Sequence, residues 1–396
     1  MESADIAALI AGQPAGHSLA QPFYRDPRIF ERDIERIFMR HWLCAGHASA
    51  LPSRGDYLLV EYGAESVIIV RGEGGELRAL VNVCRHRGSR VCSAPGNAGS
   101  FSCPYHGWTY GLDGKLLAAR HMPADFDLAS HGLRQIALRI VAGLIMISFA
   151  ERPLGLSHGE KAIASSFDPY GWSGARVAHR RTYAIDANWK LAVENYLECY
   201  HCAPAHPEYS RLHALEQPLA RIEALDARMR ERECALGLDI PAHEYWEPSS
   251  MGEEAVFGFR YPLYEGVVTG SRDGKPVAPL MGRFRDYDGG VTSVHLGPAS
   301  FFIAYGDHGV IYRFVPKTVD RSELEVLWLV RGNAREGVDY DLEALTWLWE
   351  VTSVADKRII EENQRGVNSR FYVPGAYAPM EPNARRYIAW YLREIA

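Results

Sequence analysis

Residues 188–207 read NWKLAVENYLECYHCAPAHP and carry two imidazoles and two carboxylates within twenty residues. Read as a helix, the stretch places Glu194, Glu198 and His201 on one face. Most residues between them are apolar or aromatic, so we expect a buried helix, in which a carboxylate needs a cation or hydrogen-bond donors to offset its desolvation. A proline then stops the helix, and the turned chain can bring His206 back beside His201. Two histidines alone are a weak metal signal, and a metal site here needs a further ligand from elsewhere.

The composition is that of a globular protein with a large core. The chain has 396 residues, 47% of them hydrophobic, and a formal net charge of -6. Lysine and arginine are scattered without basic runs, so we expect neither nucleic acid nor a membrane as a partner. The acidic N-terminus differs from a secretory signal, and a cytoplasmic location is expected. The longest apolar run, residues 140–149, is too short to span a bilayer and is interpreted as one buried strand.

The chain has seven cysteines. An odd number without an export signal argues against a disulfide framework and favours thiols that serve as ligands or as small core residues. Cys199 and Cys202 flank His201, and at helical spacing they point away from the face of Glu198. We therefore interpret both as core residues.

Changes in residue pattern divide the chain into three parts and predict an α+β fold. Residues 1–45 read as a helical segment that packs on the C-terminal domain. Residues 46–155 show short apolar strands punctuated by glycine, which predicts an all-β domain. Residues 172–396 combine helices with candidate antiparallel strands, so we expect an antiparallel sheet covered by helices, as in a helix-grip fold. The residues between these two domains, rich in glycine and proline, are interpreted as a linker.

A first metal constellation lies in the all-β domain. Cys84 and His86 are followed, sixteen residues later, by Cys103 and His106. Four such ligands could hold zinc in a tetrahedral site. The alternative is a [2Fe-2S] cluster with both thiolates on one iron and both imidazoles on the other. The spacing favours the cluster, because each loop supplies one cysteine and one histidine. Zinc fingers instead group cysteine with cysteine and histidine with histidine.

Asp356 is the candidate third ligand for a second metal site with His201 and His206. This residue is centred on an apolar stripe of a predicted helix at about 339–364. Pairing with Lys357 or Arg358 is the simpler explanation, but these neighbours point elsewhere on the helix. Two histidines and one carboxylate with open positions are typical of the facial triad of non-haem Fe(II) oxygenases.

Together the two constellations resemble the oxygenase (alpha) subunit of Rieske-type non-haem iron oxygenases. The strings that carry the resemblance are CRHRG, CPYHGW, NWK…ENY…ECYH…H and the D-x7-Q-R-G string from Asp356 to Gly366. The resemblance implies a [2Fe-2S] cluster on Cys84, His86, Cys103 and His106, and a mononuclear Fe(II) on His201, His206 and Asp356. It also implies that Glu198 bridges an iron histidine to a cluster histidine of a neighbouring subunit in a head-to-tail ring, usually a homotrimer.

The reaction that the resemblance implies is reductive activation of O2. Electrons from NAD(P)H would arrive through a separate flavin- or ferredoxin-type reductase, since the chain has no GxGxxG nucleotide fingerprint. Glu194 is assigned to support of the iron site, with a plain structural acid as the alternative. A Rieske electron carrier without chemistry of its own is the different class of function, but it would leave the second constellation unexplained.

The ECYHC-type string looks like the branch that oxidises quaternary ammonium compounds such as carnitine, glycine betaine and stachydrine. Hydroxylation or oxidative demethylation of such a substrate is expected, with aromatic acids as the alternative substrates. Aromatic faces bind trimethylammonium groups well. The candidate walls are Tyr245, Trp246, Phe257, Phe259, Tyr261, Tyr264, Phe301, Phe302 and Tyr305.

Overall fold

The computed structural model describes residues 3–215, 218–241, 243–246 and 252–396. Its N-terminal segment consists of three short helices, α1 Ser3–Ala11, α2 Gln21–Arg25 and α3 Pro27–Asp33, and α3 continues into a π-helical turn at Ile34–Phe38. The segment packs on the C-terminal part through the buried Asp33. Its carboxylate pairs with Lys190 and accepts a hydrogen bond of 2.8 Å from the Tyr391 hydroxyl.

A seven-stranded antiparallel sheet forms the first domain, with strand order β1-β10-β9-β4-β3-β2-β5, and a three-stranded sheet, β6-β7-β8, packs beside it. The strands are β1 Leu43–His47, β2 Asp56–Tyr62, β3 Glu65–Arg71, β4 Leu77–Val81, β5 Gly96–Asn97, β6 Phe101–Ser102, β7 Thr109–Tyr110, β8 Leu116–Ala118, β9 Gln135–Val141 and β10 Leu144–Ser148. The sheet thus begins inside residues 1–45, because β1 pairs with β10.

The interpretation of residues 140–149 as one strand is wrong. The run divides between β9 and β10, which are joined by a tight turn at Ala142 and Gly143 with φ of 49° and 80°. Two positive φ values in succession favour a two-residue hairpin. The presumed linker also contains a helix, α4 Ser157–Phe167, which buries Ile163 and Phe167 against the second domain.

The second domain is built on another seven-stranded antiparallel sheet, with strand order β11-β17-β16-β15-β14-β13-β12. Its elements are β11 Ala175–Ile185, α5 Trp189–Tyr196, α6 Cys202–Ala205, α7 Pro207–Ser210, α8 Leu219–Ala235, β12 His243–Trp246, β13 Val256–Pro262, β14 Gly290–Leu296, β15 Ser300–Ala304, β16 Gly309–Thr318, β17 Arg321–Arg331, α9 Leu342–Val367 and α10 Pro382–Ile395. Helices α5 and α9 lie over one face of this sheet. The predicted α+β class, with an antiparallel sheet covered by helices, is confirmed.

Helix α8 was not anticipated, since its sequence has many charges and a weak apolar stripe, and only Met229 and Glu233 are buried. None of the helices in the described ranges combines the length with the apolar character that a membrane crossing requires.

Candidate metal centres and substrate cavity

The two Cys/His loops of the first domain are tight hairpin tips. The Cys84 amide donates to the carbonyl of Ser89 and the Cys103 amide to that of Trp108, both at 2.8 Å. Each loop turns at a glycine with positive φ, Gly88 at 77° and Gly107 at 71°. An L side chain rarely adopts this backbone conformation, so glycine is what allows each loop to turn tightly between its ligand residues and the next strand.

Within the loops the thiols lie inside and the imidazoles outside. Cys84 and Cys103 are each 3% exposed, whereas His86 and His106 are exposed at the surface. The Nδ1 atoms of the two imidazoles are 3.1 Å apart, and Trp108 stacks on His86 with ring centroids 4.8 Å apart. Buried thiolates for an inner iron and surface imidazoles for an outer iron are the donor set that a [2Fe-2S] cluster of mixed ligation requires.

Helix α5 is held at its N-terminal end by Asn188. Asn188 caps it by accepting from the Lys190 amide at 3.0 Å, and the Asn188 backbone N–H donates to Oε1 of Gln364 on α9 at 2.8 Å. The Asn of the NWK string and the Gln of the D-x7-Q string are therefore partners. Their bond joins the helix before His201 to the helix that carries Asp356.

The prediction that α5 continues through His201 is wrong. The helix ends at Tyr196, and Glu198 lies in a turn before the short helix α6. The turn still brings Glu198 and His201 together. The His201 Nδ1 contacts Glu198 Oε1 at 2.6 Å, and the same carboxylate accepts from the His201 amide at 3.3 Å.

His201, His206 and Asp356 converge on one point. Oδ1 of Asp356 lies 3.3 Å from Nε2 of His201 and 3.0 Å from Nε2 of His206. His206 and Asp356 are 2% and 6% exposed, yet both His206 ring nitrogens and this Asp356 oxygen have no hydrogen-bond partner within the described ranges. Three ligands bound cis to one metal at about 2.1 Å would stand about 3 Å apart. The arrangement therefore fits a metal ion and leaves buried polar atoms unsatisfied without one.

The Glu198 carboxylate orients the His201 ring. It holds Nδ1, so that Nε2 faces Asp356, as outer carboxylates do for metal-bound histidines. Burial alone would lower the pKa of His201, but the neighbouring Asp356 and Glu198 raise it to about 9. Lys357 pairs with Glu361, which leaves Asp356 to the histidines.

Glu194 does not contact these three residues. It is buried, and its carboxylate accepts hydrogen bonds from the hydroxyls of Tyr24 at 2.8 Å and Tyr377 at 2.7 Å. Burial raises the pKa of Glu194 to about 7, although the hydrogen bonds from the two tyrosine hydroxyls lower it. Through these hydrogen bonds Glu194 connects the N-terminal segment, α5 and the segment before α10. This agrees with the alternative that Glu194 is a plain structural acid.

Cys202 is buried in the core and Cys199 packs against it, as expected, but the expectation of free thiols is wrong, because the two form a disulfide with Cα atoms 4.9 Å apart. The helical spacing that was assumed for them is absent, since α5 ends at Tyr196. The Cys202 sulfur lies within 4.8 Å of the candidate histidine nitrogens, but its bond to Cys199 leaves it no free thiolate for a metal.

Two cavities meet at Glu198 and His201, which line both. The inner cavity, of about 220 Å³, also contains His206 and Asp356. The outer cavity, of about 430 Å³, lies on the other side and is lined by Glu194 and Glu381 among others. The inner volume is below the range of about 300–1,000 Å³ that is typical for drug-sized ligands, so it suits a small substrate.

Five aromatic residues line the inner cavity: Tyr196, Tyr209, Phe259, Tyr261 and Trp349. Phe259 and Tyr261 were among the candidate walls. Of the other candidates, Phe257, Tyr264, Phe301, Phe302 and Tyr305 do not line it, and the side chains of Tyr245 and Trp246 lie outside the described residues. Phe302 points to the opposite face of the sheet and packs near Phe167.

Sequence reasoning missed Tyr196, Tyr209 and Trp349. Tyr209 follows His206 by three residues, and Trp349 precedes Asp356 by seven on the same stripe of α9. Helical spacing from a candidate ligand is thus the signal that could have identified the last two.

Comparison with known proteins agrees with this geometry. Residues 41–136 match the Rieske [2Fe-2S] domain, and residues 173–396 match the ring hydroxylating alpha subunit (catalytic domain). The chain therefore belongs to the Rieske-type non-haem iron oxygenases, as an oxygenase (alpha) subunit with a [2Fe-2S] cluster and a mononuclear iron. The match to the catalytic domain excludes a carrier built on the Rieske domain alone.

Among its relatives, the chain is 38% identical to the glycine betaine monooxygenase oxygenase subunit of Chromohalobacter salexigens, over 97% of this chain and 87% of that protein. It is also 38% identical to the carnitine monooxygenase oxygenase subunit of Escherichia coli K12, over 88% and 84%. The crystal structure of the quaternary ammonium Rieske monooxygenase CntA with L-carnitine shares the fold, with a TM-score of 0.72 at 22% identity over 98% of both chains.

Proposed function

We propose that this oxygenase subunit oxidises a small quaternary ammonium compound of the betaine type. The observation that carries the proposal is the aromatic inner cavity, which opens directly on His206 and Asp356. Tyr209 lies with its ring centroid 5.8 Å from that of His206 and 5.7 Å from that of Trp349. A trimethylammonium group between such rings is stabilised by cation–π attraction while its methyl groups face the metal site. The similarity to glycine betaine and carnitine monooxygenases over most of the chain supports the same class.

The two sets of donor side chains define the residue roles in this proposal. The cluster would be held by Cys84, His86, Cys103 and His106, and the mononuclear iron by His201, His206 and Asp356. Held by these residues, the iron would supply open positions for O2 and would be reduced through the cluster. Glu198 orients His201, and the aromatic walls hold the substrate and exclude water. Hydroxylation of an N-methyl carbon followed by C–N cleavage converts substrate, O2, NAD(P)H and a proton into demethylated amine, formaldehyde, water and NAD(P)+.

We further propose a homotrimer in which Glu198 bridges two subunits. The exposed imidazoles His86 and His106 lie beside exposed Arg85 and Arg87, whereas the outer cavity next to His201 is lined by Glu194, Glu198 and Glu381. This charge complementarity supports docking of the Rieske loops of one subunit against the outer cavity of the next. Electrons would come from a separate NAD(P)H-dependent reductase, and the supply of NAD(P)H supports a location in the cytoplasm.

The test is turnover by the purified, iron-loaded subunit with a ferredoxin-type reductase. We expect NADH oxidation to depend on glycine betaine or carnitine, with formaldehyde or cleaved amine formed in step. Aromatic acids such as benzoate and anisate should stimulate neither signal. Product formation from an aromatic acid with no response to betaines would overturn the substrate proposal and leave the family unchanged.

A further inference from the structure

The inner cavity contains no lysine or arginine among its described lining residues. A betaine is a zwitterion, so its carboxylate needs donors as much as its ammonium needs aromatic faces. Without a cation in the lining, the carboxylate has to be recognised by uncharged donors.

Three hydroxyls of the cavity are already engaged. The Thr352 hydroxyl donates to the Leu348 carbonyl at 2.8 Å, and the hydroxyls of Tyr209 and Tyr261 contact each other at 3.0 Å. Asn195 and Asn383 line the cavity without side-chain hydrogen bonds in the described ranges, but both are only half-buried.

The Tyr196 hydroxyl and Trp349 Nε1 also line the cavity without a hydrogen-bond partner in the described ranges, but both belong to the helices α5 and α9 and not to the sheet. Ser293 is the unpaired side-chain donor on the sheet side. It is 8% exposed and lines the cavity, and its hydroxyl has no hydrogen-bond partner in the described parts of the chain. Its cross-strand neighbours are Phe259 on β13 and Ile303 on β15, which line the cavity beside it. Ser293 therefore presents one unpaired hydroxyl to the cavity from an apolar row of the sheet, where an acceptor group of a ligand could take its hydrogen bond.

The required orientation of the substrate agrees with this position. Oxidation at an N-methyl group puts the ammonium end near His206, Asp356 and the rings of Tyr209 and Trp349, all contributed by helices and turns. The other end of the molecule is then left to face the sheet, where Ser293 lies between two apolar neighbours.

We propose that Ser293 donates a hydrogen bond to the substrate carboxylate and so selects betaine-type zwitterions over trimethylammonium compounds that lack an acceptor. The inference rests on the proposed function and names the residue that sets its specificity. Ser293 touches substrate and is remote in sequence from all candidate metal ligands.

The experiment is calorimetric titration of the iron-loaded protein with glycine betaine and with tetramethylammonium, which has no carboxylate. A hydrogen bond to a charged acceptor leads us to expect Ser293→Ala to weaken glycine betaine binding by about tenfold to a hundredfold. Tetramethylammonium affinity should stay within about twofold. Ser293→Thr keeps the hydroxyl and should recover most of the lost betaine affinity.

Ser322→Ala is the matched control. Ser322 is a buried serine of the same sheet, but it lies outside the cavity and its hydroxyl donates to the Ala187 carbonyl at 3.0 Å. We expect it to leave both affinities unchanged.

If Ser293→Ala binds glycine betaine as tightly as the wild type, or loses affinity equally for both ligands, the proposed role of Ser293 is wrong. Turnover of betaine by the wild-type protein would still support the proposed function. A wild-type protein that neither binds nor oxidises betaines would instead refute the proposed function and, with it, this inference.

Discussion

In the proposed mononuclear site, Asp356 is the residue on which iron binding would depend. It lies on the buried face of α9, and one of its oxygens is 3.3 Å and 3.0 Å from the two imidazole nitrogens. A facial triad cannot hold iron tightly with two ligands, because the lost carboxylate also removes the negative charge that balances the metal. The cluster ligands lie in the other domain and do not involve α9.

We therefore expect Asp356→Ala to lower the iron content from about three to about two Fe per chain and to abolish turnover. The visible spectrum of the cluster should persist. Iron analysis and absorption spectroscopy on the same preparation measure both effects. Glu361→Ala, on the same helix but paired with Lys357, is the control that should keep all the iron. Normal turnover by Asp356→Ala would show that the triad is misassigned.

At the scale of elements, His41 links the N-terminal segment to Glu254 and to helix α10 of the second domain. This side chain is buried, and its Nδ1 lies 2.9 Å from Glu254 and its Nε2 3.4 Å from Glu394 on α10. Burial lowers the pKa of His41, but the two carboxylates outweigh this effect and raise it to about 9 from 6.5. Because the folded pKa is the higher one, the stabilisation is fully present below pH 6.5 and is lost as the pH rises through 9.

We expect His41→Gln to lower the thermal midpoint most at pH 6 and progressively less towards pH 9.5, where the wild-type imidazole loses its proton. The contribution at low pH is on the order of 3 kcal/mol. Thermal unfolding of both proteins across this range measures it. His158→Gln, whose side chain is 67% exposed, should show no such trend. A midpoint difference that stays constant with pH would mean that His41 is buried in its neutral form.

Element prediction succeeded where periodicity was long and failed where it was short. Helix α9 carries a clear apolar stripe and lies close to its predicted position at about 339–364, and β14 to β17 are antiparallel strands, as expected for the C-terminal domain. The end of α5 was misplaced by more than a turn, since helical spacing extends through His201 while the backbone turns at Leu197. That turn is held by local contacts that the apolar pattern does not reveal, namely the Glu198 carboxylate with the His201 ring and the disulfide beside it.

At the scale of the whole molecule, the cluster loops and the triad belong to different domains. The imidazoles His86 and His106 are exposed, and the outer cavity lies beside His201 in the other domain. In a head-to-tail ring each cluster would serve the iron of its neighbour, so a working pair needs residues from two chains.

Mixed rings test this arrangement. A His86→Ala chain lacks a working cluster and an Asp356→Ala chain lacks the iron, and each alone should be inactive. Random co-assembly places an intact cluster beside an intact iron at one junction in four, so we expect about a quarter of wild-type turnover per ring. Turnover of the co-expressed, co-purified pair measures this. If the mixture stays inactive while both chains are present in the same rings, electrons do not pass between subunits at this junction.

The sequence by itself determined the ligand types, their order and the fold class. Glycine-bounded Cys/His loops, a two-histidine string and an aspartate on an amphipathic helix are local patterns, and each is set by backbone geometry and side-chain chemistry within a few residues. The tertiary structure alone decided that Phe259 and Ser293 of the sheet line the same cavity as the metal-site residues, and that Glu194 bonds to Tyr24 and Tyr377. These residues come from separate strands, helices and loops, and no local period relates positions that only packing brings together.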